Sequence, residues 1–185
     1  MTDSSPMRVL MLATNGFAEL LESRHALLEA GIEVTLASIT KESIQGVVYD
    51  DTSRSMSRTS VIPDVILSEV DISKFDALVL SGGVASPDTL RMTTEAIDIV
   101  RGFVSEGKWV AAICHAPWLL VEAGAMAGPR ATGWYSIRTD LANAGATVVD
   151  EEVVVDGHII TSRMPSDIPS VQPRRRRAVA ERLRR

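Results

Sequence analysis

Apolar runs, each too short for a helix and each closed by small or polar turn residues, recur along this chain with helical patterns between them. Val9 to Ala13 is the first, bounded by Thr14, Asn15 and Gly16. From about Glu19 to Ala30, Leu20, Leu21, Leu27 and Leu28 recur at helical spacing among charges, and Gly31 supplies the stop. Ile32 to Ala37 then reads as a second strand, and Asp76 to Leu80 as a third, buried one, ending in Ser81-Gly82-Gly83. Thr94 to Glu106 sets Ile97, Val100 and Phe103 among charges, so it predicts a helix with Gly107 just past its end. Trp109 to Ile113 is the fourth run, followed by Cys114 and a helix pattern through about Glu122. Helical patterns of about 10–15 residues between buried strands imply right-handed crossovers and a mainly parallel sheet covered on both faces.

The remaining segments are less regular. Ile44 to Tyr49 reads as a short hairpin or edge element, and Thr52 to Ser60 as exposed connection with Arg54 and Arg58 solvated. Thr139 to Ala144 predicts a short helix. Thr147 to Val149 and Val153 to Val155 predict strands, the latter turned by Asp156-Gly157 into Ile159-Ile160.

A chain of 185 residues suits one domain, expected over residues 7–185 behind a loose leader of residues 1–6. The formal net charge of -5 argues against a nucleic-acid surface. One cysteine excludes an internal disulfide framework and a Cys-rich zinc site, and it fits a reducing compartment. No stretch approaches the ~20 apolar residues that span a bilayer, so no membrane partner is expected and the cytoplasm is the default location. The basic tail, PRRRRAVAERLRR, reads as a solvated final helix with cations near its negative end.

In open parallel sheets, ligands bind at the carboxyl ends of the strands. The loops there after Ala13, Leu80 and Ile113 hold Glu19, Gly82-Gly83 and Cys114-His115. In WVAAICHAPWLL a strand runs directly into Cys114 and a helix pattern starts at once. Such a turn strains the nucleophile's backbone and tolerates only small residues two positions either side, as Ala112 and Ala116 are. Pro117 suits the first helical turn. The helix N-terminus is expected to lower the Cys114 pKa, and the His115 N–H to face an oxyanion formed by thiolate attack. A lone cysteine among apolar residues also describes a small core residue. His115 suits a general base or a structural helix start. Glu19 equally fits a role in complementing the helix dipole. His25 and His158 read as surface residues, and no histidine has metal-ligand spacing.

AICHAPWLL, DALVLSGG, NAGATVVDEEVVVDG and IITSRMPSDIP together resemble the PfpI family of intracellular proteases and glyoxalases. That family lies in the class I glutamine amidotransferase-like superfamily, alongside the parkinsonism-associated deglycase. The resemblance runs in order from about Arg8 to Pro169 and implies a flavodoxin-like three-layer α/β sandwich. It implies that Cys114 is the nucleophile with His115 beside it, that Gly83 lends an oxyanion-binding N–H, and that Glu19 contacts the nucleophile. It further implies that Asp88 approaches the histidine of a neighbouring subunit, making a homodimer or higher homo-oligomer. Within one chain, Ser86 and Pro87 can start a short helix with Asp88 in its first turn. Departures from the family pattern are a loop two residues shorter before Glu19, serines at 23 and 81 and Trp109 in place of prolines, and Ala116 in place of glycine.

The implied activity is glyoxalase or deglycase chemistry on small reactive carbonyls such as methylglyoxal, with no metal or organic cofactor required. A peptidase acting as an oligomeric chamber uses the same nucleophile. A redox-sensing or chaperone-like stress protein would instead have Cys114 oxidised rather than turning over. An amidotransferase lacks its downstream His-x-Glu pair, and a DNA-binding regulator lacks an appended helix-turn-helix region.

Overall fold

In a computed structural model, which describes residues 6–50, 53 and 55–167, the four apolar runs become adjacent parallel strands. They are β1 (Arg8–Leu12), β2 (Glu33–Ser38), β6 (Ala77–Leu80) and β7 (Trp109–Ile113). β5 (Val65–Ile66) extends the sheet beyond β2. The hairpin of β10 (Val153–Asp156) and β11 (Ile159–Ser162) extends it beyond β7. β11 runs parallel to β7 and β10 antiparallel to β11. Among β2, β1, β6, β7 and β11 the order is that of a flavodoxin-like α/β fold. From β1 the chain builds outward to β2 and β5 on one side, then crosses back to β6 on the other, so the switch point lies between β1 and β6.

Alternation along β1 explains why its run is apolar throughout. Leu10 and Leu12 face one core with Leu78, Leu80, Val110 and Ala112. Val9, Met11 and Ala13 face a second core with Leu20, Leu36 and Phe17. The first core is covered by α2 (Ala85–Arg91), α3 (Thr94–Ser105), α4 (Pro117–Glu122) and α5 (Arg138–Asn143). α1 (Leu20–Glu29) covers the second. Strands buried on both faces cannot alternate with polar residues: β1, β6 and β7 are apolar beyond their first residues, whereas β2, which carries Glu33 and Thr35, is buried only from Leu36 onward.

The segment expected as exposed connection is different. Ser55–Val61 forms β4, paired in antiparallel register with β3 (Ile44–Asp50) from Ile44↔Val61 to Asp50↔Ser55. Its Ser, Thr and Arg content hides the strand because the hairpin stands outside the main sheet and most of β4 is exposed. Likewise, Thr147–Val148 (β9) pairs with Arg130–Ala131 (β8) in a separate ladder rather than joining the main sheet. The N-terminal leader through residue 5, Arg54 and the basic tail lie outside the described residues. Among the described residues, no helix is long and apolar enough to cross a membrane.

Candidate active site

Among the described residues, only two other than glycine have a positive φ, Glu19 at 59° and Cys114 at 62°. Such backbone costs of order 1–3 kcal/mol per residue and persists where its surroundings hold it. Both residues stand at the carboxyl edge of the sheet, flanking the switch point. At Cys114, β7 ends, the Cys114 N–H donates to the Ser162 carbonyl (3.0 Å), and α4 begins at Pro117. The Cys114 carbonyl accepts from the Trp134 N–H at 2.8 Å. Ala112 and Ala116 are buried on either side, leaving the tight turn its room.

Glu19 is held by a longer device. The loop leaving β1 is stitched to the hairpin, Gly16 N–H donating to Gln45 (2.7 Å) and Val47 N–H to Phe17 (2.9 Å). On its other side the Ala18 N–H donates to Gly82 (3.1 Å), and the Ser81 hydroxyl donates to the Ala18 carbonyl (2.8 Å). Gly82 then sits where a side chain has no room. A Cβ there would lie 2.3 Å from Glu19 Oε2 and 2.8 Å from the Cys114 Cβ. At Gly83 a Cβ would meet the Gly16 carbonyl at 2.2 Å, and its φ of +86° also favours glycine. The double glycine is what lets the two strained turns touch.

The loop, though short, brings the Glu19 carboxyl to the Cys114 thiol and the Gly83 N–H. Its Oε2 is buried with no hydrogen-bond partner among the described residues. Burial raises Glu19 to about 7, opposed by the Cys114 thiol and reinforced by the nearby Glu22 carboxylate. The Cys114 thiol is also pushed up, by burial first and the Glu19 charge second. This corrects the expectation of a low-pKa thiol. The N–H groups of Gly83 and His115 do favour the thiolate, but desolvation of a side chain only 5% exposed outweighs them. Glu19 and Cys114 are therefore a coupled pair that holds a proton near neutral pH.

His115 Nδ1 lies 3.2 Å from Cys114 Sγ, and its Nε2 lies 3.2 Å from Ser136 Oγ. Burial lowers its pKa, so the ring is neutral and able to accept a proton. Asp88 occupies the first turn of α2, exposed, with no side-chain hydrogen bond or ion pair to the described residues. His25 is exposed and pairs with Glu29 at 3.1 Å. His158 departs from the surface assignment: it is half-buried, with Nε2 enclosed and unpartnered among the described residues.

Cys114 and His115 line a cavity of about 690 Å³, with Glu19 and Gly83 beside them. Residues 7–172 match the DJ-1/PfpI family. The chain belongs to that family. It is 42% identical over 164 residues to Deglycase PfpI of Pyrococcus furiosus, covering 88% of this chain and 93% of the relative. It is 41% identical to General stress protein 18 of Bacillus subtilis, over 83% of this chain and 85% of that one. Among solved structures, DJ-1beta of Drosophila melanogaster superposes with a TM-score of 0.80 at 29% identity, over 97% of this chain and 91% of that chain. Within this DJ-1/PfpI member, sequence reasoning missed Ser136, Trp118, Trp134 and the hairpin side chains Val47, Tyr49 and Met56, all of which line the cavity. Trp118 stands in the first turn of α4, where an aromatic among apolar residues reads as core, and the others reach the site from segments remote from the strand–helix turns. WYS at 134–136 is an ordinary loop until its N–H docks on Cys114.

Proposed function

We propose that this chain is a cysteine-dependent enzyme of small reactive carbonyls, converting methylglyoxal to lactate and removing glycation adducts with the same nucleophile. One observation carries the reading: a buried thiol that meets two backbone N–H donors, a carboxyl near its half-protonation point and a neutral imidazole on the wall of one cavity. The deglycase name of a relative 42% identical supports it.

Cys114 Sγ attacks the aldehyde carbon, and the thiol proton passes to His115 Nδ1 as the carbon–sulfur bond forms. A deprotonated resting thiolate is not required, which suits a thiol whose pKa is raised. The new oxyanion is stabilised by the N–H groups of Gly83 and His115. The ionised Glu19 carboxylate takes the carbon-bound proton of the hemithioacetal, giving an enediol, and returns it to the neighbouring carbon. The aldehyde carbon is thereby oxidised to a thioester and the ketone carbon reduced to an alcohol. Water cleaves the thioester, releasing lactate and the thiol. On the hemiaminal of a glycated amine, Cys114 Sγ displaces the amine from the former aldehyde carbon. The carbon–nitrogen bond breaks as the carbon–sulfur bond forms, and His115 passes the thiol proton to the leaving amine; the resulting hemithioacetal then follows the same path to lactate. A peptidase would use this nucleophile on an amide, with His115 protonating the leaving amine.

Turnover of methylglyoxal and of casein by the wild type and Cys114→Ala tests the reading. Lactate formation by the wild type, lost at least a thousandfold in Cys114→Ala, is expected. Casein cleavage without lactate formation would replace it with the peptidase, and neither activity would remove the enzyme.

The proposal extends to assembly. Asp88 is exposed and unpaired among the described residues, and a two-fold dimer would set Asp88 of the partner subunit near His115, giving two equivalent sites. A fully active monomer in sedimentation, or an Asp88→Asn dimer with full turnover, would leave Asp88 only its helix-start role.

A further inference from the structure

A three-carbon dicarbonyl leaves most of this cavity empty. At about 690 Å³ it falls in the range of sites that enclose drug-sized ligands. Its walls state what else belongs there. Trp134 stacks beside the His115 ring at 5.8 Å between centroids and 28° between planes, and Trp118 meets the same ring at 5.3 Å and 59°. Neither indole is loose. Trp118 Nε1 donates to Asp140 at 2.8 Å, and the Arg91 guanidinium covers its ring at 5.1 Å, itself bonded to Glu122 through Nε at 3.0 Å. Trp134 is anchored at its backbone, whose N–H donates to the Cys114 carbonyl, and its ring packs between His115 and the Tyr135 ring, 5.6 Å away. Two large apolar side chains, Met56 (64% exposed) and Val84 (56% exposed), stand bare at the mouth. None of the described residues lining the cavity is a lysine or arginine, while Glu19 lies within it, so an anionic substituent finds no cation there.

We infer that Trp118 and Trp134 determine specificity, and that the site takes uncharged α-oxoaldehydes whose ketone carries an aryl or bulky alkyl group in preference to methylglyoxal. The inference rests on the carbonyl chemistry proposed above. The reaction is unchanged in its balance: thiol adds to the aldehyde, one proton moves from the aldehyde carbon to the ketone carbon, and water releases the 2-hydroxy acid. The aryl or alkyl group lies against the two indoles, flat surfaces already held in place, so little side-chain entropy is lost on binding.

Two measurements on the full chain test this separately from the chemistry. The first compares phenylglyoxal, read as mandelate formed, with methylglyoxal, read as lactate, against a Cys114→Ala background. A kcat/KM at least ~10-fold higher for phenylglyoxal is expected, carried mainly by KM, with the ratio falling toward unity in Trp134→Ala and Trp118→Ala and restored by Trp134→Phe. The second needs no turnover. The chain has one cysteine, so iodoacetamide labelling reads Cys114 alone. Acetophenone should protect it at concentrations at least ~10-fold below acetone, and Trp134→Ala should erase the difference while Trp134→Phe keeps it. Equal protection by the two ketones, or a phenylglyoxal preference indifferent to both indoles, overturns the inference while leaving methylglyoxal turnover standing. Selective protection by acetophenone with no turnover of either dicarbonyl supports the aryl-binding wall and removes the chemistry instead.

Discussion

The turn after β1 and the turn after β7 perform the same task by different means. Each ends with a non-glycine residue in the left-handed region, Glu19 in one and Cys114 in the other. Cys114 gets there abruptly: it follows directly on the strand, only three residues separate β7 from α4, and small neighbours allow it. Glu19 gets there through a seven-residue excursion pinned on one side to the β3–β4 hairpin and on the other to Gly82. The Cys114 turn is local and self-contained, whereas the Glu19 turn exists only because other segments hold it. Backbone strain at a site can thus be imposed by a short sequence or by a long-range scaffold. Here the carboxyl and the thiol meet because both devices converge on one glycine.

The largest break in this arrangement should come from Gly82→Ala, which places a methyl between the two turns. With only 2.3 Å to Glu19 Oε2 and 2.8 Å to the Cys114 Cβ, one turn must retreat. Turnover is expected to fall on the order of 100-fold, with a loss of about 1–3 kcal/mol in denaturant unfolding. A fully active Gly82→Ala enzyme would mean that contact between the turns is dispensable.

Glu19→Gln separates strain from charge, because it keeps the backbone and most of the shape. A carboxyl whose pKa is raised from 4.5 to about 7 on folding stabilises the protein relatively below pH 4.5 and loses that contribution as pH rises through 7. The variant should therefore match the wild type near pH 4 and exceed it by up to about 3 kcal/mol at pH 8. Removing the Glu19 charge also removes the repulsion that helps raise the thiol, so alkylation of Cys114 should shift to lower pH. Equal unfolding curves at pH 8 would show that the carboxyl is not buried in its charged form. Wild-type kcat/KM should fall as pH drops below about 7 and the carboxylate is protonated, and the Gln variant, left without the base for the carbon-bound proton, should keep only a low residual rate that lacks this limb.

Ser136→Ala should give the smallest effect. Its hydroxyl faces His115 Nε2 at 3.2 Å from an exposed position, where water can substitute. A fall in kcat of no more than about 10-fold, with KM little changed, is expected from looser orientation of the imidazole. A loss as large as that of Gly82→Ala would make Ser136 as important to the site as the contact between the turns.

What the sequence by itself determined is the part that depends on nearest neighbours and period. Short, mainly apolar runs closed by turn residues specify buried strands, and the intervening helical spacing specifies crossovers, so the parallel sheet and its carboxyl edge were legible in advance. The Cys114 turn was legible for the same reason, since Ala112, Ala116 and Pro117 sit within three residues of it. The tertiary structure alone decided the rest. β4 was hidden because a polar strand outside the main sheet lacks the apolar signature on which strand reading relies. The left-handed backbone of Glu19 depends on hydrogen bonds to Gln45, Val47 and Gly82, far along the chain. The thiol's raised pKa depends on burial, which no local motif reports and which here exceeds the pull of two N–H groups. Helix-end electrostatics can be anticipated from adjacent residues, but desolvation is summed over everything that packs around the group, and that sum is known only once the chain has closed.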